Sequence, residues 1–147
     1  MRSKKRIRIV VDTNLWISFL QNLSMRQRLS RLLLSDEIDF LFSIELFDEL
    51  ETTAKRRKFH RYFDASHVDD LIEIVEVRSA VDICRDPRDN FLLALAQDGV
   101  ADYLITGDHD LLCLKKSGKT KIVTLKDFEN IHMKDFQKWK NPPAADP

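Results

Sequence analysis

Three aspartates stand where the fold of this chain could bring negative charges together. Asp12 ends the apolar run that begins at Ile7, Asp108 follows the apolar run 103–106, and Asp89 lies near the start of a predicted helix. Carboxylates that converge repel one another unless a cation neutralises them. Oxygen ligands without histidine or cysteine suit Mg²⁺ or Mn²⁺, and these ions support phosphoryl transfer or hydrolysis. The spacing therefore predicts metal-dependent phosphoryl chemistry.

Asp89 carries more information than an ordinary surface acid. It precedes Leu92, Leu93 and Ala96 by three, four and seven positions, so it shares their apolar helix face. A buried carboxylate is unfavourable without a partner, which points to a functional role. The alternative is an acid in the first helical turn that the helix dipole stabilises. Asp86 already caps this helix, and this weakens the alternative.

The other acids have simpler explanations that stay open. Asp108 lies in the sequence Thr-Gly-Asp-His-Asp, where a turn or a helix cap alone would explain it. The helix that follows Ser43 offers Glu45 and Glu49, and periodicity does not choose between them. Helix glutamates usually face solvent, so both also fit an ordinary surface.

Apolar periodicity predicts strands that alternate with helices. The predicted strands cover 7–11, 38–42, 77–84, 103–106 and 121–124. Helices are predicted over 15–20, 24–34, 44–58, 67–75, 87–98 and 125–136, with a single turn over 111–114. The predicted caps are Thr13 or Asn14, then Ser43, Ser66, Asp86 and Thr124. This order predicts a three-layer α/β/α fold around a parallel sheet of about five strands, with its site at the carboxyl ends of the strands.

The composition fits one domain, which we place at residues 1–138, followed by a disordered tail over 139–147. The 24 basic residues balance the 24 acidic ones, so attraction for a polyanion must come from local clusters. Cys84 and Cys113 lack the spacing of a zinc or disulfide site and are expected to be free, buried thiols. No segment approaches the roughly 20 apolar residues of a membrane span. We expect a soluble, cytoplasmic protein.

Four blocks of sequence, in order, closely resemble the PIN-domain nucleases, and most of all the branch described as toxin components of toxin–antitoxin pairs. The likeness extends from about Ile7 to Phe128. Asp-Thr-Asn alone would be a weak signal, but four blocks at these spacings are a strong one. The blocks are Val-Val-Asp-Thr-Asn at 10–14, Ser-Ile-Glu-Leu-Phe-Asp-Glu-Leu at 43–50, Cys-Arg-Asp-Pro-Arg-Asp-Asn-Phe-Leu-Leu-Ala-Leu-Ala at 84–96, and Asp-Tyr-Leu-Ile-Thr-Gly-Asp-His-Asp-Leu at 102–111.

The resemblance implies an endoribonuclease that uses Mg²⁺ or Mn²⁺ and leaves 5′-phosphate and 3′-hydroxyl ends on single-stranded RNA. It also implies an antitoxin protein as a partner and a homodimer. By motif position, the family's acids fall on Asp12, Glu49, Asp89 and Asp108, so the family pattern selects Glu49. We expect Asp12, Asp89 and Asp108 to hold the metal and Glu49 to act on the attacking water. Asn14 and Thr106 would give polar support, with Asp110 as an outer acid.

Basic residues beside these motifs are candidates for contact with RNA phosphate. They are Lys55, Arg56, Arg57, Lys58, Arg85 and Arg88. A solvated helix end explains the cluster 55–58 at least as well.

Two other functions compete with the nuclease. An aspartate-nucleophile phosphatase would use Asp12, but it usually needs a second acid two positions later, where Asn14 stands. A non-catalytic module that binds RNA or protein would have no need to concentrate acids opposite phosphate.

Overall fold

A computed structural model of the chain describes residues 6–53 and 72–132. Within these ranges, six strands form one sheet in the order β3-β2-β1-β4-β6-β5. The strands are β1 Ile7–Val11, β2 Ile38–Phe42, β3 Ile72–Ile74, β4 Tyr103–Ile105, β5 Lys116–Ser117 and β6 Thr120–Val123. All neighbouring strands are parallel except β5 and β6, which form an antiparallel edge. The predicted three-layer α/β/α class is confirmed, with one strand more than expected.

Helices connect and cover these strands. In the described ranges they are α1 Thr13–Gln21, α2 Leu23–Leu33, α3 Ile44–Thr53, α4 Pro87–Asp98, α5 His109–Leu112 and α6 Leu125–His132. None of them is long and apolar enough to cross a membrane. Three predicted caps are confirmed by hydrogen bonds: Ser43 Oγ accepts from the Leu46 amide, Asp86 Oδ1 from the Arg88 amide and Thr124 Oγ1 from the Asp127 amide.

β1 is the organising strand because the sheet extends from it in both directions. It pairs with β2 on one side and with β4 on the other. Ile9, Val10 and Val11 are buried on both faces, as expected for a central parallel strand. Trp16 on α1 packs its ring 5.3 Å from that of Phe42 on β2 and so closes the core below the strand ends. The reversal of strand order between β1 and β4 is the crevice where such sheets place their sites.

The edge beyond β2 corrects the sequence-based prediction. Residues 72–74 form strand β3 on β2, where a helix was predicted, and the predicted strand 77–84 is irregular. Pairing with the open edge of β2 overrides local helix propensity here. The backbone of 77–84 finds side-chain acceptors instead. Asp98 accepts from the amides of Arg78 and Ser79, and Asn90 accepts from those of Ile83 and Cys84.

The structure also bears on the predicted helix cap of α1 and on the two cysteines. The cap of α1 is Asp12, one position earlier than predicted. Both cysteines are free, but Cys113 is exposed, so its predicted burial is wrong. The basic cluster 55–58, the cap at Ser66 and the tail 139–147 lie outside the described residues.

Candidate functional site

Asp12 is held at the carboxyl end of β1 by both of its carboxylate oxygens. Its amide still pairs with β4, donating to the Ile105 carbonyl at 2.9 Å. Oδ1 accepts from the Asn14 amide at 3.1 Å and so caps α1, while Oδ2 accepts from the Thr106 hydroxyl at 2.6 Å. The side chain is buried. The hydrogen bond from Asn14 comes from its backbone amide, and its side chain is exposed.

Thr106 joins the ends of β1 and β4. It is fully buried, and its hydroxyl accepts a hydrogen bond from the Asp108 amide at 3.0 Å while donating to Asp12. Asp108 then caps α5, with Oδ1 accepting from the Asp110 amide at 2.8 Å. One threonine therefore fixes the position of Asp12 and of the loop that carries Asp108. The sequence pattern placed Thr106 at this corner without showing these two bonds.

Asp89 lies in the first turn of α4 with its carboxylate turned inward. It is 5% exposed, and Oδ2 has no hydrogen-bond partner among the described residues. Its pKa is raised from 3.8 to about 6, first of all by burial. The negative charges of Asp108, Asp86 and Asp12 also raise this pKa, in that order, and so does a hydrogen bond with the Asp108 carboxyl group, which forms only when one of the two carries a proton. Three sequence-predicted acids therefore share one electrostatic field, with Asp86 as a member that the sequence showed only as a helix cap.

Cys84, in the loop before α4, lies in the same negative electrostatic field. Burial raises the pKa of its thiol, and the negative charges of Asp89, Asp110 and Asp108 raise it further. Asn90 holds this loop through three hydrogen bonds: two that its Oδ1 accepts and one that its Nδ2 donates to the Cys84 carbonyl. Sequence reasoning missed Asn90. The available signal was an amide side chain directly after a buried helix acid.

Glu49 stands apart from these hydrogen bonds, on the wall of a cleft beside them. The cleft has a volume of about 360 Å³. Glu49 is half-buried and Glu45 is exposed, yet both line the cleft, so its lining does not choose between them. Its described lining residues are Thr13, Glu45, Leu46, Glu49, Pro87, Arg88, Phe91 and Leu92.

The basic candidates near the site are partly engaged by acids. Arg85 Nη2 lies 3.3 Å from Asp110 Oδ2, and Arg88 Nη2 lies 3.5 Å from Asp86 Oδ2. The arginine side chains are 89% and 76% exposed, so these ion pairs are weak. Asp110 therefore faces Arg85 in this structure.

The acids suit a hard divalent cation. No three or more His, Cys, Asp or Glu side chains in residues 6–53 and 72–132 are grouped closely enough to enclose an ion. Mg²⁺ does not require such a cage, since it keeps several waters and uses one or two carboxylates. The unpartnered Oδ2 of Asp89, beside the charges of Asp12 and Asp108, is an oxygen that a cation would satisfy. The donor chemistry thus fits Mg²⁺ or Mn²⁺.

Comparison with known proteins places these motifs in a wider group. Residues 8–110 match the model of a family described as PIN domain. An uncharacterized protein of Methanocaldococcus jannaschii, MJ1680, is 27% identical over 142 residues, which cover 89% of this chain and 86% of that protein. The matched range 8–110 contains all four predicted acids.

Proposed function

This chain belongs to the PIN-domain family, and from that premise we propose that it is a nuclease that hydrolyses single-stranded RNA with Mg²⁺ or Mn²⁺. One observation carries the proposal. The carboxyl end of the sheet holds a buried aspartate, Asp89, whose Oδ2 lacks a hydrogen-bond partner and whose charge is opposed by other acids. Repulsion between buried carboxylates destabilises the fold. A bound cation would remove that repulsion, so acids placed close together are typical of a cation site.

The aspartates would hold the cation and Glu49 would act on water. Asp12, Asp89 and Asp108 are the proposed ligands, directly or through water. When bound, the cation stabilises negative charge on the attacked phosphate and on the leaving oxygen. Thr106 fixes one oxygen of Asp12, so that this ligand cannot turn away.

Glu49 would accept a proton from the attacking water on the cleft side. The water oxygen forms a bond to phosphorus, the bond from phosphorus to the 3′ oxygen breaks, and that oxygen takes up a proton. The products are a 5′-phosphate and a 3′-hydroxyl. Asn14 and Asp110 support this arrangement through backbone hydrogen bonds to Asp12 and Asp108.

The proposed biological setting rests on the resemblance of the sequence motifs to the toxin branch of the family. We place the chain as the toxin component of a toxin–antitoxin pair, a cytoplasmic homodimer built from one domain over 1–138. Lys55, Arg56, Arg57, Lys58, Arg85 and Arg88 would contact RNA phosphate.

Cleavage of a single-stranded RNA with Mn²⁺ tests the proposal. Asp12→Asn is expected to lower kcat/KM on the order of 10³-fold, because an amide replaces a charged ligand. Chelation with EDTA should stop cleavage by the wild type, and added Mn²⁺ should restore it.

Asp36→Asn is the matched control. Asp36 is exposed on the turn before β2, far along the strand from the acids, so this variant should cleave like the wild type. Equal activity of Asp12→Asn and wild type would refute the assignment of the site.

A further inference from the structure

The cleft beside the acids is lined by an aromatic ring, that of Phe91, by the carboxylate of Glu45 and by the guanidinium group of Arg88. We propose that it is a nucleobase pocket that selects guanine next to the cleaved bond, an inference that rests on the proposed nuclease function. Phe91 would stack on the base, Glu45 would read its edge, and Arg88 would contact the adjoining phosphate. All three residues line the cleft.

The size and lining of the cleft suit a flat, partly apolar ring. Its volume of about 360 Å³ lies in the range of small-molecule sites, roughly 300–1,000 Å³. Leu46, Pro87, Phe91 and Leu92 supply the apolar surface. Phe91 is half-buried, so part of its ring is open to a ligand in the cleft. An aromatic ring of this kind is what unpaired RNA bases use for stacking.

Glu45 gives the pocket a chemical preference. A carboxylate only accepts hydrogen bonds. Guanine offers two adjacent donors on its Watson–Crick edge, the ring N1–H and the amino group at N2, and one carboxylate can accept both. Adenine and cytosine offer an amino group beside an unprotonated ring nitrogen that repels the second oxygen. Uracil places its single N–H between two carbonyl oxygens, which repel a carboxylate on both sides.

The position of the cleft ties the base to the reacting phosphate. Thr13 follows Asp12 and Arg88 precedes Asp89, so the cleft and the acids share α1 and α4. Arg88 is 76% exposed, and its pair with Asp86 is long at 3.5 Å, so its guanidinium can turn to a phosphate at little cost. Glu49 stands on the same wall as Glu45 and remains available to the attacking water.

The first experiment measures kcat/KM for four RNA oligonucleotides that differ only in the base beside the cleaved bond. The wild type should prefer guanine over uracil on the order of tenfold, which is typical of a bidentate base contact. Glu45→Gln should remove most of that preference, because its amide offers a donor to uracil as well. The matched control Glu37→Gln changes an exposed glutamate at the other end of the sheet and should keep the wild-type ratio.

Phe91→Leu separates stacking from base reading. The leucine keeps apolar volume, so the chain should fold, and its urea midpoint verifies this. Loss of the ring should raise KM about tenfold for all four oligonucleotides while leaving their ranking unchanged. A merely structural role of Phe91 would instead lower kcat or the urea midpoint without this uniform change in KM.

A binding measurement tests the base pocket separately from the proposed nuclease activity. NMR titration in EDTA compares guanosine and uridine 5′-monophosphate on the wild type and on Glu45→Gln. Tighter binding of the guanosine nucleotide without any RNA cleavage would support the pocket and refute the nuclease. Cleavage without base preference, together with equal binding of both nucleotides, would refute the pocket and leave the nuclease standing.

Discussion

At the amino end of the sheet, acids and bases stand in pairs, whereas at the carboxyl end the acids stand together. Arg6 Nε donates to Asp39 Oδ1 at 2.6 Å, and both nitrogens of the Arg8 fork donate to Glu73 at 2.8 Å. Lys119 lies 3.3 Å from Asp102 in the same region. Each of these three acids has a cation beside it.

The carboxyl end lacks this compensation. Asp89 is buried beside Asp108 and Asp12, and the nearby arginines pair at longer distances with Asp86 and Asp110 instead. Equal total numbers of acids and bases thus hide an uneven distribution along the strands. Charge at one end therefore stabilises the fold, while charge at the other opposes folding and would be neutralised by the cation of the proposed site.

The largest expected effect comes from removing the charge of Asp89. Asp89→Asn should lower kcat/KM on the order of 10³-fold, because a proposed metal ligand is lost. The same variant should be more stable than the wild type in EDTA at pH 8, by about 2 kcal/mol. Activity and urea unfolding would be measured on the same preparations.

The pH dependence of that stability difference follows from the raised pKa of Asp89. The pKa is about 6 in the folded chain and 3.8 as its ordinary value, so the folded state binds the proton more tightly. The wild type therefore loses stability as the pH rises from about 4 to about 7, and the variant does not. The measurement is the free energy of unfolding of Asp89→Asn minus that of the wild type, at pH 4 and at pH 8. If this difference is smaller at pH 8 than at pH 4, the charge of Asp89 does not destabilise the fold.

The mirror experiment removes an acid from the paired end. Asp39 is buried, and Asp39→Asn leaves Arg6 without its charged partner. The free energy of unfolding should fall by about 2–3 kcal/mol, while kcat/KM on RNA stays at the wild-type value. A loss of cleavage without a loss of stability would show that the two ends are not separate in function.

A smaller effect is expected at Thr106, which links the strands that meet at the site. Thr106→Val keeps the shape but removes the donor to Asp12 and the acceptor for the Asp108 amide. We expect kcat/KM to fall roughly tenfold, as for other partners that orient metal ligands. Thr106→Ser keeps the hydroxyl and should recover most of the activity; failure of this rescue would argue against orientation of Asp12 by the hydroxyl.

The smallest effect should come from the exposed ion pair of Arg8 and Glu73. Glu73 is 48% exposed, and Glu73→Gln should lower the free energy of unfolding by about 0.5 kcal/mol at pH 7. Its hydrogen bond with Arg8 lowers the pKa of Glu73 below 4.5 in the folded chain. The difference from the wild type should therefore shrink as the pH falls from 4.5 and be lost once the pH is below the lowered pKa of folded Glu73. Urea unfolding of the wild type and of Glu73→Gln, at pH 7 and at acidic pH, measures this difference.

Sequence reasoning succeeds where local chemistry decides the outcome. The strand 38–42 is found with its observed bounds because a short apolar run ends at the capping Ser43. The helix that begins at Pro87 follows from Asp86 as its cap. Asp89 is predicted to turn inward because its spacing to Leu92 and Leu93 matches one helix face, and all three are buried. Each of these features depends on residues within a few positions of one another.

It fails where partners distant in the chain decide. Ile72 and Ile74 become a strand because the edge of β2 is open to them, which local propensity cannot show. The segment 77–84 stays irregular because Asp98 and Asn90 accept its amide protons. Likewise Glu45 on α3 and Phe91 on α4 line one cleft, and no sequence spacing indicates that they share it.

The hydrogen bond between Thr106 and Asp12 also has a consequence for when the site forms. The two residues lie 94 positions apart, so their contact closes a long loop of the chain. Closing that loop carries an entropic cost, which the pairing and burial of β1 and β4 help to offset. During synthesis Asp12 leaves the ribosome long before Thr106 and Asp108 exist. The nascent chain therefore carries an incomplete acid set, and the proposed hydrolytic activity begins only when nearly the entire domain has been translated and folded.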